Sequence, residues 1–249
     1  GLSAKSGLVS AKPMHFISNQ GRMLSNIVAG VEKALELHPK TDYVLVVSSD
    51  IPTLKGEMVD WLINKCMETQ DDLYYGVCPR DVMEGRFPGS KRTYTRLKDI
   101  DLCGADINLT HVRMATEHLD LWEQLIGNRK SPIRQASLVG LDTFWKVFTR
   151  SATLDELVAH VCKRIGIKGR AVVWGQAEPC MDVDKPHQLE LLRADLESQQ
   201  AKEKRAAKAA EKKAVVKKAA PKKPAVKKTT SPKPTAKAKP KAKAPVKKK

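Results

Sequence analysis

The residues best suited to chemistry are aspartates that follow predicted strands. Asp50 comes directly after the apolar run 43–47, and Asp182 and Asp184 follow the apolar run 170–174. In open α/β sheets the ligand crevice lies at the carboxyl ends of the strands. Carboxylates at that edge suit a hard cation such as Mg²⁺, which takes one or two of them and leaves its other positions to water and phosphate. The pattern therefore makes Asp50 and Asp182 candidate metal ligands.

A structural interpretation of the same aspartates remains open. Asp50 is also placed to cap a turn or the helix that follows Pro52. Asp184 suits the N-cap of the last helix, with Pro186 in the first turn. Side chains alternate in an extended segment, so Asp182 and Asp184 are expected to point to the same side. Of these two, Asp182 is the better candidate ligand.

The elements that must position these residues alternate in type along the first half of the chain. A helical apolar stripe runs through residues 24–35, and a continuous apolar run at 43–47 is typical of a strand buried on both faces. An amphipathic helix near residues 58–66 and a strand at 73–78 follow. This alternation predicts an α/β fold with a mostly parallel, Rossmann-like sheet.

The middle of the chain departs from this alternation. Residues 94–97 and 102–109 suggest a strand pair beside the main sheet, in a polar and basic stretch. Helices are predicted after Ser131-Pro132, within 153–166 where Thr153 and Glu156 form a capping-box pattern, and from about Pro186.

The positive charge of the chain is concentrated at its C-terminal end. Of 45 basic and 28 acidic residues, positions 201–249 hold 20 basic and 2 acidic ones, so positions 1–200 carry 25 against 26. We predict a domain over residues 1–198 and a Lys/Ala/Pro tail over 199–249 that is helical at first and then disordered. The five scattered cysteines lack a C-x-x-C pair, and no apolar run reaches membrane-spanning length, which predicts a cytoplasmic protein with reduced thiols that does not enter a membrane.

Several segments together resemble one known family, the MobA-like NTP transferases, which are nucleotidyltransferases of the GT-A fold. Residues 43–54 (YVLVVSSDIPTL) look like the metal-binding strand of that family, and residues 21–30 (GRMLSNIVAG) look like the helix before it. Residues 181–189 (MDVDKPHQL) are similar to its closing motif, and 103–108 (CGADIN) to its Gly-Gly-Asn segment. The resemblance extends over about residues 14–198.

The resemblance implies an activity and assigns roles to individual residues. It implies transfer of an NMP from an NTP to a phosphorylated acceptor with release of pyrophosphate, with Asp50 and Asp182 as catalytic residues that hold Mg²⁺. The acceptor is expected near Gly104 and Asp106. The family's Gly-rich phosphate-binding loop has no match in residues 1–22, so it is expected before Gly1, and the chain as given is expected to be inactive alone.

Basic residues are the candidates for contacting substrate phosphate. Residues 129–132 resemble a basic turn of some relatives, and we select Arg129 and Lys130 from it as substrate-binding residues. Lys91, Arg92 and Arg96 are interpreted as solvated surface charges, the usual state of such side chains.

Two other classes of function compete with the nucleotidyltransferase. The tail 202–249 resembles those of linker histones, and its lysines favour non-specific binding of nucleic acid through phosphate. The chain would then be a non-catalytic scaffold or a nucleic-acid-associated protein. A GT-A glycosyltransferase is the weakest alternative, because Asp182-Val-Asp184 matches its D-x-D motif after the last strand rather than in mid-domain.

Overall fold

The computed structural model describes residues 7, 9–120, 123–124 and 140–219, with the backbone alone for 210–219. The chain divides into two compact units, Gly1–Gln200 and Ala201–Lys249. Among the described residues, strands and helices alternate from residue 23 to residue 96, and the last helix continues to Ala219.

Five strands and seven α-helices are used below. The strands are β1 (Tyr43–Val47), β2 (Leu73–Pro79), β3 (Thr95–Arg96), β4 (Asp101–His111) and β5 (Gly169–Val173). The helices are α1 (Met23–Leu37), α2 (Gly56–Cys66), α3 (Arg80–Arg86), α4 (Arg113–Thr116), α5 (Leu141–Phe148), α6 (Leu154–Ile165) and α7 (Pro186–Ala219), with a 3₁₀ turn at Glu178–Cys180.

The strands form one mixed sheet, which corrects the expectation of a mostly parallel Rossmann-like sheet. Their order is β1-β4-β2-β5, with β3 paired to β4. Strand β4 is antiparallel to β1, β2 and β3, and β2 and β5 are the only described strands that pair in parallel. Strands β1, β2 and β5 therefore run in one direction, as the alternation of strands and helices predicts. The prediction was wrong because β4 lies between β1 and β2 rather than beside the sheet.

The sheet buries its two faces differently. Alternate residues of β2 point to opposite faces, and Tyr74 and Cys78 lie in the largest apolar cluster, which α2, α3 and α7 also join. On the other face, Leu73 and Val77 belong to two smaller clusters formed with α1, α4, α5 and α6. Tyr75 lies between those clusters and is 47% exposed. Among the described residues of this face, Tyr75 therefore lies between the clusters and stays partly exposed.

Some local predictions hold and others do not. The capping box is confirmed: the Thr153 hydroxyl accepts from the Glu156 N–H, the Glu156 carboxylate accepts from the Thr153 N–H, and Gly166 ends the helix at φ 75°. Strand β1, expected to be buried on both faces, is only half-buried and ends in exposed Val47, and it lies at the edge of the sheet that the described residues form. Helix α3 was not predicted. The helix expected after Ser131-Pro132 lies outside the described residues.

Candidate active site

The carboxyl end of β1 presents Asp50 in a loop that a distant segment holds in place. The Ser48 hydroxyl donates to Asp50 Oδ1, which orients that carboxylate. The Val183 N–H donates to the Asp50 carbonyl over 3.0 Å. This backbone hydrogen bond joins the loop after β1 to the segment after the 3₁₀ turn, 133 positions further along the chain.

That hydrogen bond brings the predicted metal ligands together. Asp50, Asp182 and Asp184 each offer one carboxylate oxygen, and these three oxygens lie within 4.8 Å of one another. Asp182 is buried, Asp50 is half-buried and Asp184 is exposed, so the cluster opens towards solvent on one side. Carboxylate oxygens are the ligands that Mg²⁺ prefers, and an open side leaves room for water and phosphate oxygens. The donor set and its geometry therefore fit this cation.

Asp184 has a different environment from the one expected for an N-cap. The Gln188 side-chain carbonyl accepts from the Asp184 and Lys185 N–H groups, at 3.1 and 2.9 Å. This amide therefore satisfies the backbone donors where α7 begins. The Asp184 carboxylate is thus available to the acidic cluster, which sequence analysis had assigned to Asp50 and Asp182 alone.

Gly104 and Asp106 reach the same site from β4. The Ser48 N–H donates to the Asp106 carbonyl over 2.8 Å, so Asp106 lies beside the end of β1. The pairing of β2 with β4 shifts here, because β4 passes from Gly104 to Asn108 while β2 passes only from Val77 to Tyr75. Such bulges re-aim side chains.

Asn108 completes this irregular pairing. Its side-chain carbonyl accepts from the Gly76 N–H at 3.0 Å, and its amide donates to the Ala105 carbonyl at 3.4 Å. A side chain thereby replaces the hydrogen bonds that the shifted strands cannot make. Asn108 is thus a structural residue of the motif from which Gly104 and Asp106 were selected.

Tyr75 covers Gly104 on one face of the sheet. A Cβ added to Gly104 would lie 2.4 Å from the Tyr75 hydroxyl oxygen, so the Tyr75 side chain would have to shift if Gly104 were replaced. Burial of the hydroxyl end raises the pKa of Tyr75 from its usual 10.0, and the charge of Asp106 raises that pKa further. Sequence analysis did not select Tyr75, since a tyrosine within a predicted strand is common and does not by itself indicate a site.

Arg92 joins the two halves of the site, which corrects its interpretation as a solvated surface charge. Its Nη1 pairs with Asp182 Oδ1. Its Nη2 lies 3.6 Å from Asp106 Oδ2 and donates to the Gly104 carbonyl over 3.2 Å. The Arg92 side chain is only 14% exposed. The contacts of Arg92 could not be predicted from the sequence, because a polar, basic loop shows no periodic pattern of apolar residues.

The loop that carries Arg92 is fixed by contacts and by an unusual backbone conformation. The Gln188 amide donates to the Ser90 carbonyl over 3.3 Å, and Gln188 itself is 2% exposed. Lys91 adopts φ 53°, which is uncommon for a residue with a side chain. Both features place Arg92 against the site instead of in solvent.

The remaining basic candidates do not add to this cluster. Lys91 and Arg96 are exposed. Arg129 and Lys130 lie outside the described residues. Within the described part of the chain, Arg92 is therefore the predicted basic candidate that the structure brings to the aspartates.

The assembled groups have a defined chemical capacity. Three carboxylates can hold a hard cation, and a guanidinium lies next to one of them. Beside them, Tyr75, Gly104 and Asp106 border a partly exposed surface of the sheet. Such a site can neutralise a polyphosphate at one end and receive a second substrate at the other.

Among the described residues, no helix combines the length and the apolar character that a membrane span requires.

One solved structure is informative about this fold. The chain is similar to a hypothetical transferase from Thermus thermophilus, with 33% sequence identity and a TM-score of 0.64, over 74% of this chain and 76% of that chain. No family model matches this sequence. No curated protein matches it either.

Proposed function

Because this chain belongs to the same family as the hypothetical transferase from Thermus thermophilus, we propose that it transfers a nucleoside monophosphate from an NTP to a phosphorylated acceptor. Transferase is the level that the family supports directly. The nucleotidyltransferase of MobA-like type is our finer proposal, and it rests on the site. The acceptor oxygen forms a bond to the α-phosphorus, the bond from that phosphorus to the bridging oxygen breaks, and pyrophosphate leaves.

One observation carries the proposal. The oxygens of Asp50, Asp182 and Asp184 converge within 4.8 Å at the carboxyl end of β1. Asp50 comes from a strand end and the other two from a loop far along the chain, so the fold itself builds the cluster. Phosphoryl transfer depends mainly on positioning and on stabilising negative charge, and this cluster is suited to both through Mg²⁺.

The chain's own residues divide the work in this proposal. Asp50 and Asp182 hold Mg²⁺, with Asp184 beside them, and the bound ion supplies neutralisation of charge on the phosphate oxygens. Gly104 and Asp106 border the acceptor, and Arg129 and Lys130 are the proposed phosphate contacts.

The reduced state of the cysteines supports a cytoplasmic location. All five thiols are free, and four of them are buried. Disulfides persist in oxidising compartments and are rare in the cytosol. We include a cytoplasmic location in the proposal on this ground.

Pyrophosphate release tests the proposal. We expect the protein, expressed from the complete reading frame of its gene, to release pyrophosphate from one NTP when Mg²⁺ and a suitable phosphorylated acceptor are present. ATP, GTP, CTP, UTP and dTTP are assayed against a panel of acceptors. Asp50→Asn keeps the shape of the side chain and removes its charge, so activity should fall by at least about 100-fold.

A matched aspartate controls for general effects of lost charge. Asp60 lies in α2 and is exposed, so Asp60→Asn should retain full activity. If no NTP is consumed with any acceptor and the protein binds no nucleotide, the nucleotidyltransferase proposal is wrong.

The tail carries a second, non-catalytic proposal. Residues 201–249 hold 20 basic residues against 2 acidic ones. Dense lysine favours binding to a phosphate backbone through release of counterions. We propose that this segment binds nucleic acid without sequence preference, either beside the transferase activity or, if that activity is absent, as the main function of a scaffold protein.

A further inference from the structure

Arg92 connects the acidic cluster to the acceptor end of the candidate site. Its guanidinium contacts Asp182 through Nη1, and Asp106 and the Gly104 carbonyl through Nη2. Asp182 offers an oxygen to the acidic cluster, whereas Gly104 and Asp106 lie on β4. A single side chain thus bridges two segments that have separate roles in the proposed reaction.

We propose that Arg92 is a positioning residue that orients Asp182 for the cation and ties that ligand to Asp106. The proposal rests on the proposed function only in that a divalent cation binds the aspartates. A carboxylate has two oxygens, so Asp182 can accept from Arg92 with one and bind the cation with the other. Hydrogen bonds to a ligating carboxylate fix its orientation.

The contacts of Arg92 favour a guanidinium that stays in place and orients Asp182 over one that leaves the site when a cation binds. The Gly104 carbonyl, which accepts from Nη2, belongs to the backbone of β4, so its position does not depend on a side-chain rotamer. The loop before Arg92 is fixed by a hydrogen bond that the Gln188 amide donates to the Ser90 carbonyl. A guanidinium that only took the place of the cation would have to give up its own contacts when a cation bound.

The site requires arginine rather than a generic positive charge. Nη1 of the guanidinium contacts Asp182, whereas Nη2 donates to the Gly104 carbonyl and lies 3.6 Å from Asp106 Oδ2. A planar fork of N–H donors can serve them together, whereas the ammonium of lysine is a compact charge with different geometry. Arg92→Lys therefore separates orientation from charge.

The test measures cation binding directly. Mn²⁺, used as a probe for Mg²⁺, is titrated into the full protein and the free ion is followed by electron paramagnetic resonance. For Arg92→Lys we expect Mn²⁺ affinity to fall about 10-fold, and for Arg92→Gln up to about 100-fold, the range typical of lost support for a metal ligand. Unchanged or tighter binding in both variants would overturn the proposal and identify Arg92 as a competitor of the cation.

Arg86 provides a matched control. It is also partly buried and pairs with two carboxylates, Glu178 and Asp195, but neither belongs to the acidic cluster. Arg86→Lys should lower the melting temperature and leave Mn²⁺ affinity unchanged. If Arg86→Lys weakened Mn²⁺ binding as much as Arg92→Lys does, the effect would be general and the positioning role would be wrong.

Other outcomes separate this inference from the proposed function. Asp50→Asn should abolish Mn²⁺ binding, which assigns the bound ion to the aspartates. If Mn²⁺ binding depends on Arg92 but no NTP is consumed, the nucleotidyltransferase is wrong and the positioning role stands. If the wild-type protein binds no Mn²⁺, the positioning role fails. Should Arg92→Gln not fold, the charge-matched Arg92→Lys decides alone.

Discussion

At the residue scale, the candidate site depends on groups whose surroundings alter their chemistry. Tyr75 is the clearest case: its hydroxyl end is buried against Gly104, next to Asp106. Burial disfavours the phenolate, and the neighbouring negative charge disfavours it further, so the pKa of Tyr75 is raised. The hydroxyl therefore stays protonated at neutral pH, at the border of the proposed acceptor surface.

This environment gives a prediction about pH. We expect Tyr75 to ionise above pH 10, measured as the phenolate absorbance lost from the titration when Tyr75→Phe is compared with wild type. The folded pKa lies above the unfolded one, so the contribution of Tyr75 to stability is complete below about pH 10 and is lost as the pH rises above it.

The neighbouring carboxylate provides a control for this titration. Asp106→Asn removes the second cause of the shift and leaves the burial in place. The pKa of Tyr75 should then move part of the way back towards its usual value. A Tyr75 that titrates at or below pH 10 in the folded wild-type protein would contradict the prediction.

At the element scale, β2 and β4 approach each other closely where their pairing shifts. A Cβ added to Gly76 would lie 2.7 Å from both the Ala105 Cβ and Trp174 Nε1. Trp174 is only 1% exposed, so its ring has no free space to move into. Gly76 is therefore required for the strands to reach the arrangement that places Asp106 beside the end of β1.

Substitution of this glycine should destabilise the fold. We expect Gly76→Ala to lower the free energy of unfolding by about 1–3 kcal/mol, the usual cost of overpacking. Urea denaturation followed by far-UV circular dichroism measures the change.

The chain offers a matched glycine for comparison. Gly30 lies inside α1, and a Cβ there would have no heavy atom within 4 Å. Gly30→Ala should therefore stabilise the protein by about 0.5–1 kcal/mol, because alanine favours the helix. If Gly76→Ala were neutral or stabilising as well, the close approach of β2 and β4 would not limit the fold.

At the scale of the whole molecule, charge and fold belong to different parts of the chain. Residues 1–200 hold 25 basic and 26 acidic residues, whereas 201–249 hold 20 and 2. The division into Gly1–Gln200 and Ala201–Lys249 follows the same boundary. Each unit therefore carries its own proposed role, the first in transfer chemistry and the second in binding polyanions.

Removal of residues 201–249 should separate these roles. We expect the shortened protein to lose affinity for double-stranded DNA in fluorescence anisotropy while its Mn²⁺ affinity stays the same. For the full chain, the logarithm of the binding constant should fall linearly with the logarithm of the salt concentration, with a slope of about −0.9 per phosphate contacted. DNA binding that survives the truncation would place the polyanion site in the first unit.

Local patterns in the sequence determined much of this protein. The apolar periodicity indicated α1, α2, β1 and β2 near their observed bounds, because each element buries one stripe or face. The capping box of Thr153 and Glu156 could also be predicted from the sequence, since a cap involves residues only three positions apart. The concentration of charge in the tail follows from composition alone.

The tertiary structure decided what depends on distant segments. Sequence patterns placed Asp50 and Asp182 after strands, but only the fold showed that Asp184 joins them, that β4 lies between β1 and β2, and that half-buried Arg92 pairs with Asp182. Strand pairing and ion pairs between residues about 90 positions apart leave no periodic pattern in the sequence. The apolar periodicity of a strand shows which face it buries, but it does not show which other strand lies beside it.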